Sequence, residues 1–284
     1  MDFDFPKRIV CLTEETTETL YLLGQEGRIA GVSGYTARPP EAREKPKVSA
    51  FITAKFDKIM ELHPDLVLAF SDLQSEIVRE LLIRGLNVLA FNQRSIAEIE
   101  TMILTLARIT SVPEKGLALV EKLKGGLHLI AQSAARFPRR PRVFFEEWND
   151  PLIGGIRWVE ELVEIAGGQP LFPELREGRS GKDRILDPAV VAGRDPEVVI
   201  ASWCGRKVNK DTIRARFGWG GTWAVRNNQI YEIKSTYILQ PGPASLTEGI
   251  RQLHAILAHC AGIEVPAELA PAERTDPDLL RSNA

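Results

Sequence analysis

The sequence predicts an α/β protein of two lobes, each built on a parallel sheet, joined by one long helix. Two observations support this fold class. The phrase HPDLVLAFS at 63–71 is written again as DPEVVIASW at 195–203, each time with a proline and an acid before a short β-branched run. Around both phrases, apolar strand-like runs alternate with helical segments, which is typical of a parallel sheet covered by helices on both faces.

The first lobe begins with a short buried strand and a helix. The run RIVCL at 8–12 predicts the strand. Thr13 followed by Glu14 and Glu15 predicts the helix start, because threonine is a good N-cap and acids suit the first turn. Further strands are predicted at 28–33, 66–70 and 87–91, with helices at 55–62, 73–84 and 95–109.

The second lobe repeats this order of strands and helices. The run RVFFEEW at 142–148 predicts its first strand, and a helix at 159–168 is closed by two glycines. The repeated phrase supplies an inner strand at 197–203, and the proline before each inner strand marks the end of the preceding helix. Helices are also predicted at 187–193, 208–216 and 244–261, with a strand at 229–233.

Residues 112–137 predict a single helix between the lobes. Pro113 suits the first turn, and apolar residues recur at helical spacing from Leu117 to Ile130. The last residues of the chain are rich in proline and charge, which is typical of a surface or disordered segment. We therefore predict an N-terminal lobe over 1–110, a linking helix over 111–138, a C-terminal lobe over 139–265 and a surface or disordered tail over 266–284.

The composition excludes several classes of protein. A net charge of −2 and a pI of about 6.2 do not favour a nucleic-acid surface. No apolar run is long enough for a transmembrane helix, and Cys11, Cys204 and Cys260 lack the spacing of a disulfide framework or a zinc site. The first residues leave no room for a secretory signal, so we expect a cytoplasmic protein. The alternative is a periplasmic protein whose signal peptide was trimmed.

Candidate ligand-binding residues follow the ends of the strands. Ligands of open parallel sheets bind beyond the carboxyl ends of the strands, so two lobes that face each other there would form a cleft. All five tryptophans lie between 148 and 223, and Trp148 and Trp203 directly end strands. Their flat, amphipathic rings suit a large planar or bulky ligand, with ordinary core packing as the alternative.

The sequence offers little catalytic machinery. The four histidines show no spacing suited to a metal or to catalysis, and no phosphate-binding glycine motif follows a strand. Glu146 and Glu147 are adjacent on a strand and point to opposite faces, so they are not an acid–base pair. We therefore predict a non-enzymatic binding protein with no catalytic residues, no metal site and no cofactor.

Several segments resemble one family of binding proteins. RIVCLTEETTETLYLLG at the start of the chain and KVSAFITAKFDKIMELHPDLVLAF are similar to the class III substrate-binding proteins of ABC importers. Four further segments are most similar to the cobalamin-binding branch of that class: FNQRS (91–95), FFEEWNDPLIGGIRWVEELVEIAGG (144–168), SWCGRK (202–207) and EIKSTYILQPGPASL (232–246). The resemblance covers about residues 7 to 260. It implies the architecture of class III periplasmic binding proteins, with a corrinoid (cobalamin) bound in the cleft.

The resemblance also implies which aromatic residues contact the ligand. Tyr35 and Phe51 match the first-lobe aromatics that face the corrinoid in such proteins. Trp148 and Trp203 occupy the corresponding strand ends of the second lobe. Together with Tyr237, these side chains would pack on the macrocycle and its side groups.

The remaining implied contacts are polar. Arg157 and Gln240 would hydrogen-bond the peripheral amides of the ligand, and Glu76 matches the acid by which the first lobe docks onto arginines of the permease. The second-lobe helix that should offer a partner acid reads RKVNKDTIRARFGW and is mostly basic. We therefore expect a monomer that carries its ligand in the cytoplasm, with docking onto an ABC importer permease as the alternative.

Two other functions stay open. A ferric-siderophore or haem-binding protein of the same class would use several arginines for its anionic ligand, and Arg157, Arg184 and Arg206 could supply them. A metal-dependent enzyme or chelatase would use Glu147 and Cys204. Metal-dependent turnover would identify the enzyme, whereas saturation at a fixed stoichiometry would identify the binding protein.

Overall fold

The chain folds into two α/β units. The computed structural model describes residues 5–272, and the chain divides into unit 1, Met1–Leu123, and unit 2, Lys124–Ala284. Each unit contains one sheet, and a helix of 22 residues, Pro113–Ala134, runs across the boundary. The predicted fold class, two α/β lobes with mostly parallel sheets joined by one long helix, is confirmed.

Unit 1 carries a six-stranded sheet in the order β4-β3-β2-β1-β5-β6. Its strands are β1 Ile9–Cys11, β2 Ile29–Ser33, β3 Lys47–Ala50, β4 Thr53–Ala54, β5 Leu66–Phe70 and β6 Val88–Phe91. Its helices are α1 Glu14–Leu22, α2 Phe56–Glu61, α3 Ser75–Ile83, α4 Ile96–Ile109 and the start of α5 Pro113–Ala134. All pairs are parallel except the hairpin of β3 with β4.

Unit 2 carries a sheet in the order β11-β10-β7-β8, with β9 also paired to β7. Its strands are β7 Arg142–Asn149, β8 Leu152–Gly154, β9 Gln169–Pro170, β10 Val198–Ala201 and β11 Ile230–Glu232. Its helices are α6 Arg157–Ile165, α7 Pro188–Gly193, α8 Lys210–Arg214, α9 Trp223–Arg226, α10 Ser235–Ile238 and α11 Ile250–Ala261. Only β7 and β8 are antiparallel.

The repeated phrase has the same backbone conformation in both units. His63 and Asp195, which precede the two prolines, both have a left-handed φ, 46° and 48°. Such a φ is uncommon for a residue other than glycine. The strands that follow, β5 and β10, each have parallel neighbours on both sides, which confirms the two predicted inner strands.

The acid of each phrase binds the first strand of its own unit. Asp65 accepts a hydrogen bond from the backbone N–H of Arg8 at 3.0 Å, just before β1. Glu197 accepts one from the backbone N–H of Arg142 at 2.8 Å, at the start of β7. A carboxylate that accepts a backbone N–H makes a charge-assisted bond, which is stronger than a neutral one. The same kind of hydrogen bond, from a backbone N–H to a carboxylate, therefore joins the first and inner strands in both units.

The arginines at these two positions make a second matching contact. The Arg8 side chain donates from Nη2 to the Leu62 carbonyl at 2.7 Å. The Arg142 side chain donates from Nη1 to the Arg194 carbonyl, also at 2.7 Å. Leu62 and Arg194 each stand two residues before the proline of the phrase. In each unit we call these two contacts together, the acid with the backbone N–H and the arginine side chain with the carbonyl, the amino-edge bracket.

The two cores differ in their side chains. In unit 1 the fully buried residues between the sheet and its helices are mostly aliphatic, as at Leu12, Val67 and Leu81. In unit 2 the ring of Phe144 packs edge-on against Phe172 and Trp219, with ring centroids 5.9 Å apart in each pair. Edge-to-face aromatic pairs contribute beyond the area they bury. In unit 2, therefore, some tryptophans, such as Trp219, pack in the core, whereas others lie at the ends of strands.

Several elements differ from the predictions. The hairpin of β3 with β4 and the strand β8 were not predicted, because they are too short for a clear alternating pattern. The predicted helix at 244–261 is a π-helical turn, Ser245–Gly249, followed by α11. The linking helix α5 ends at Ala134, with Val120 and Ile130 on its buried side.

The start of the predicted surface tail packs onto unit 2. Leu269 is buried, the Arg251 side chain donates to the Ala270 carbonyl, and the Ala272 N–H donates to Glu248 Oε2 at 3.1 Å. Residues 266–272 are therefore part of the folded unit rather than a free segment. The prediction for the rest of the tail, 273–284, lies outside the described residues.

Candidate functional site

Two predicted aromatic residues lie at the carboxyl ends of neighbouring strands of unit 1. Tyr35 follows β2, and its side chain is 52% exposed. Phe51 lies with Ile52 in the two-residue turn between β3 and β4. The Gly34 N–H donates to the Ser49 carbonyl at 2.6 Å, which holds the two strand ends together. The structure thus brings Tyr35 and Phe51 to one edge of one sheet, where open α/β sheets bind ligands.

Helix α1 holds the loop that carries Tyr35. Glu14 accepts a hydrogen bond from the Ala37 N–H at 3.0 Å, and Glu18 pairs with the Arg38 Nε at 3.0 Å. Glu14 is buried, and this burial raises its pKa to about 8, with the charges of neighbouring glutamates adding to the effect. Glu14 therefore holds its proton near neutral pH, when an ordinary glutamate is ionised.

A buried glutamine holds the Phe51 turn. The Gln74 Nε2 donates to the Phe51 carbonyl at 2.7 Å, and its Oε1 accepts from the Phe70 N–H at 2.9 Å. Its side chain is fully buried. Ser71, next to it, has a left-handed φ of 64° and its hydroxyl accepts from the Leu73 N–H at 3.2 Å. Gln74 thus joins the β3–β4 turn to the end of the inner strand β5, a role that sequence spacing did not reveal.

In unit 2, Trp148 lies near the end of β7 and is partly exposed. Its indole Nε1 donates to the Asp150 carbonyl at 2.9 Å, and the Arg206 guanidinium lies 5.6 Å from the centroid of its ring. One side of the ring packs against the core of unit 2. The position agrees with the predicted strand end, and a cation near the ring face gives a weak attraction.

Trp203 is placed differently from the prediction that it faces a ligand. Its side chain is only 4% exposed and belongs to the aromatic core of unit 2. Its indole Nε1 donates to the buried carboxylate of Glu146 at 3.0 Å. The sequence placed Trp203 at the end of a strand spanning 197–203, but β10 ends at Ala201 and Trp203 lies beyond it, with its ring turned into the core. Trp203 offers no free face for stacking on a ligand.

Two buried ion pairs lie beneath the strand ends of unit 2. Arg216 donates to both oxygens of Glu146, at 2.6 and 2.7 Å, and Glu146 is fully buried. Burial raises the pKa of Glu146, while the guanidinium of Arg216 opposes the shift. Arg184 donates to both oxygens of Glu147, at 2.6 and 3.2 Å, and is itself 1% exposed. Adjacent acids on β7 thus bind arginines distant in sequence, in agreement with the prediction that they are not an acid–base pair.

The remaining predicted contacts lie on helices and turns of unit 2. Arg157 begins α6 and pairs with Glu161 at 2.9 Å, and its Nη1 lies 3.5 Å from Glu177. Tyr237 is in α10, directly after β11, and Gln240 follows that helix. Both side chains are half-buried. These three side chains thus have open surface, and the described contacts leave their role toward a ligand as a prediction.

The acid predicted for docking is on the surface of unit 1. Glu76 lies in the first turn of α3, and its side chain is 82% exposed. It pairs with Arg79 at 3.0 Å, one turn along the helix. Since exposed pairs of this kind contribute little to stability, Glu76 can exchange this partner for another at small cost.

The described residues contain neither a metal cluster nor a membrane span. Among residues 5–272, no group of three or more His, Cys, Asp and Glu side chains is arranged to hold a metal ion. Nor does any helix in that part of the chain combine the length and apolar character that crossing a bilayer requires. Cys204 is exposed in the loop after β10.

The sequence and the fold were compared with those of known proteins. A profile described as "Periplasmic binding protein" matches residues 9–237. A vitamin B12-binding protein of Vibrio parahaemolyticus is 25% identical over 262 residues, 91% of this chain and 90% of the relative. An uncharacterized ABC transporter substrate-binding lipoprotein of Bacillus subtilis is 26% identical over 257 residues, 87% of this chain and 79% of the relative. The family resemblance is thereby confirmed.

A solved structure has the same fold. A periplasmic haem-binding protein of Pseudomonas aeruginosa superposes with a TM-score of 0.79 at 17% identity, over 96% of this chain and 98% of that chain. At this level of identity the match concerns the fold alone. The architecture alone therefore does not identify the ligand.

The prediction of a cytoplasmic protein is wrong. The matching profile is that of periplasmic binding proteins, and the Bacillus subtilis relative is named a substrate-binding lipoprotein of an ABC transporter. The prediction drew on the first residues of the chain, from which no such conclusion follows. It also drew on the basic helix after Trp203, but the structure shows one of those arginines, Arg216, bound internally to Glu146.

Proposed function

We propose that this chain, which belongs to the periplasmic binding protein family, is a non-enzymatic protein that binds a corrinoid, with cobalamin as its ligand. The observation that carries the proposal is the pair of open aromatic side chains, Tyr35 and Phe51, at the carboxyl edge of the unit 1 sheet. The relatives named vitamin B12- or cobalamin-binding proteins match nearly the whole chain, including this edge.

The proposed ligand contacts are of two kinds. Tyr35, Phe51, Trp148 and Tyr237 would pack their rings on the macrocycle and its side groups, because large rigid rings bury much area at little entropic cost. Hydrogen bonds to the peripheral amides would come from Arg157 and Gln240. A neutral ligand rich in amides does not require an arginine without a counter-charge in the site. It can therefore be bound by Arg157 while that side chain stays paired with Glu161.

The arginines fit an anionic haem or siderophore less well. Of the three that such a ligand would need, Arg184 is buried and bound to Glu147. Arg157 is paired with Glu161. Arg206 is exposed and lies over Trp148. One exposed cation is a weak basis for binding several carboxylates, so we place the anionic ligands second.

A metal-dependent enzyme has less support still. Glu147, the proposed metal ligand of that hypothesis, gives both carboxylate oxygens to Arg184. Using it for a metal would leave a buried guanidinium without its counter-charge, which costs several kcal/mol, about 3–5. Non-enzymatic binding agrees better with this arrangement.

Titration of the purified protein would test the ligand. Isothermal calorimetry with cyanocobalamin should show saturation at one equivalent. Haemin and a ferric hydroxamate siderophore, titrated under the same conditions, should bind much more weakly. Tighter binding of haemin or the siderophore than of cyanocobalamin would overturn the proposal and favour the anionic alternative.

A variant at the unit 1 edge would test the site. Tyr35→Ala should raise the Kd for cyanocobalamin by about tenfold, which is about 1.4 kcal/mol. A matched control is Phe217→Ala, because that ring is 96% exposed and follows α8, whose Arg214 contacts Asn228 just before β11, on the opposite edge of the unit 2 sheet. Equal effects of the two substitutions on Kd would show that the strand-end aromatics are not the site.

We also propose that the protein delivers its ligand to an ABC importer permease through Glu76. In cells that depend on this chain for cobalamin uptake, Glu76→Ala should reduce uptake while the Kd of the purified protein stays unchanged. Glu121→Ala, at an exposed position of α5, is the control and should leave uptake unchanged. Normal uptake by the Glu76 variant would remove Glu76 from the docking surface.

A further inference from the structure

Helix α10 carries Tyr237 but is only one turn long. It spans Ser235–Ile238, four residues, directly after β11. Its internal backbone bonds are few, with the Leu239 N–H donating to the Ser235 carbonyl at 3.0 Å. A single helical turn is not stable by itself in water. The position of Tyr237 must therefore be fixed by residues outside the helix.

The first external restraint is a buried tryptophan of α6. The Trp158 Nε1 donates to the Ile238 carbonyl at 3.0 Å, across 80 positions of the sequence. Trp158 is 3% exposed, and Ile238 is fully buried. Carbonyls in the last turn of a helix lack a partner within the helix, so an outside donor both satisfies the group and fixes the end of the helix.

The second restraint is the glycine that ends the π-helical turn. A Cβ built on Gly249 would lie 2.5 Å from the Tyr237 carbonyl oxygen and 3.2 Å from Ile238 Cδ1. Gly249 has a φ of −59°, so its backbone conformation is open to any residue. The requirement for glycine at this position is therefore one of space. Only the absence of a side chain lets the backbone of α10 approach the turn so closely.

We infer that Trp158 and Gly249 are positioning residues that fix Tyr237 for ligand contact. The inference rests on the proposed function, because Tyr237 is a ligand contact only if the site binds a corrinoid. Trp158 acts through the end of α10 and Gly249 through its backbone. Neither needs to touch the ligand.

A double-mutant cycle would test whether Trp158 acts through Tyr237. Trp158→Phe keeps the aromatic ring and removes the indole N–H, and we expect it to raise the Kd for cyanocobalamin about tenfold. In a Tyr237→Ala background, the same substitution should change the Kd less than twofold. An equal rise in both backgrounds would show that Trp158 acts on the stability of the unit and would overturn the inference.

Trp219→Phe is the matched control. The Trp219 Nε1 donates to the Pro188 carbonyl at 2.9 Å, so this substitution removes the same kind of bond from the core of the same unit. It should lower the melting temperature about as much as Trp158→Phe does and leave the Kd unchanged. A rise in Kd equal to that of Trp158→Phe would mean that any loss of core hydrogen bonding weakens binding, against the inference.

A measurement without ligand separates this inference from the proposed function. The chain has four tyrosines, so 3-fluorotyrosine labelling gives a simple ¹⁹F spectrum in which Tyr237→Phe assigns one resonance. Trp158→Phe and Gly249→Ala should each shift or broaden that resonance, and Trp219→Phe should not. An unchanged resonance in the first two variants would overturn the positioning role. Failure of the wild-type protein to bind cyanocobalamin, with the resonance moved, would overturn only the proposed ligand.

Discussion

The two units are alike at the amino edges of their sheets and different at the carboxyl edges. At the amino edges, Arg8 with Asp65 and Arg142 with Glu197 form the amino-edge bracket with matching hydrogen bonds. At the carboxyl edge of unit 1 the strand ends are held by the neutral amide of Gln74. In unit 2 they are held by buried ion pairs.

The difference separates the contacts that hold the strands of each sheet together from the residues that we propose contact a ligand. In both units the first strand pairs with an inner strand, and in both an arginine and an acid, Asp65 or Glu197, hold the two strands together. The carboxyl edges differ in composition. The edge of unit 1 carries Tyr35 and Phe51, whereas that of unit 2 carries Trp148 above two arginine–glutamate ion pairs.

Trp203→Ala should cause the largest loss of stability, because it removes a core side chain that lies under the carboxyl edge of the unit 2 sheet. Loss of a buried tryptophan costs about 3–5 kcal/mol of unfolding free energy. The cost includes the hydrogen bond to Glu146, whose carboxylate stays buried. Urea unfolding followed by circular dichroism would measure the loss.

The comparison variant is Trp148→Ala, whose ring is partly exposed. It should destabilise the protein less than Trp203→Ala does and weaken ligand binding more. A stable Trp203→Ala protein with weak binding would return Trp203 to the ligand site and contradict its assignment to the core.

Gln74→Leu should break the carboxyl edge of unit 1. The substitution removes both hydrogen bonds of the side chain and leaves the Phe70 N–H and the Phe51 carbonyl without it, for a loss of about 2–3 kcal/mol. Because the Phe51 turn then moves, the Kd for cyanocobalamin should rise as well. Urea unfolding and calorimetry on the same preparation would give both quantities.

Gln74→Glu, studied at pH 4 where the buried carboxyl group is protonated, is the control for Gln74→Leu, since it keeps an acceptor oxygen and an O–H donor. It should fall between the wild type and Gln74→Leu in stability. A Gln74→Leu protein as stable as the wild type would show that the turn is held by other contacts.

A pH dependence should appear in both units. Burial raises the pKa of Glu14 in unit 1 and of Glu160 in unit 2 to about 8 in each case, from an ordinary value of 4.5. Between these pH values the folded state keeps protons that the unfolded state releases, so stability falls as the pH rises through this window. Each group should contribute a fall of several kcal/mol, since its pKa rises from 4.5 to about 8 and one pKa unit corresponds to about 1.4 kcal/mol.

Glu14→Gln and Glu160→Gln would test this titration unit by unit. A neutral amide cannot ionise, so each variant should lose less stability than the wild type between pH 5 and pH 8. Urea unfolding at the two pH values measures the slope. A variant with the wild-type slope would show that its carboxyl group titrates at an ordinary pKa.

The smallest effects should come from the amino-edge brackets, and they should be equal. Asp65→Asn and Glu197→Gln keep an acceptor oxygen but remove the charge, for a loss of about 1 kcal/mol each. Neither substitution should change the Kd for cyanocobalamin. A loss in one unit several times that in the other would show that the matching contacts are not equivalent in energy.

The sequence was informative where a pattern was long and local. The inner strand at 66–70 was predicted with its observed bounds, because a buried parallel strand is a continuous apolar run with a proline before it. The helix predicted at 95–109 is observed as α4, Ile96–Ile109, and Ser95 before it accepts a hydrogen bond from the Glu98 N–H. Patterns of this kind depend on neighbours in the chain.

The site was less predictable because its supports come from distant parts of the chain. Arg184 is 37 positions from Glu147, and Arg216 is 70 positions from Glu146. Single residues at such distances leave no periodic signal. The burial of Trp203 was missed for a related reason, since a position at the end of a strand does not determine whether the side chain points into the core.

The amino-edge brackets also bear on how the chain arose. The arginine and the carbonyl it contacts are 54 positions apart in unit 1 and 52 in unit 2. Duplication of one ancestral segment explains why both units have the same contacts at nearly the same interval. If the units had arisen independently, both the contacts and the interval would have had to evolve twice. On this history the net length gained or lost between the two ends of the bracket is two residues, while the carboxyl edges of the two units diverged in sequence.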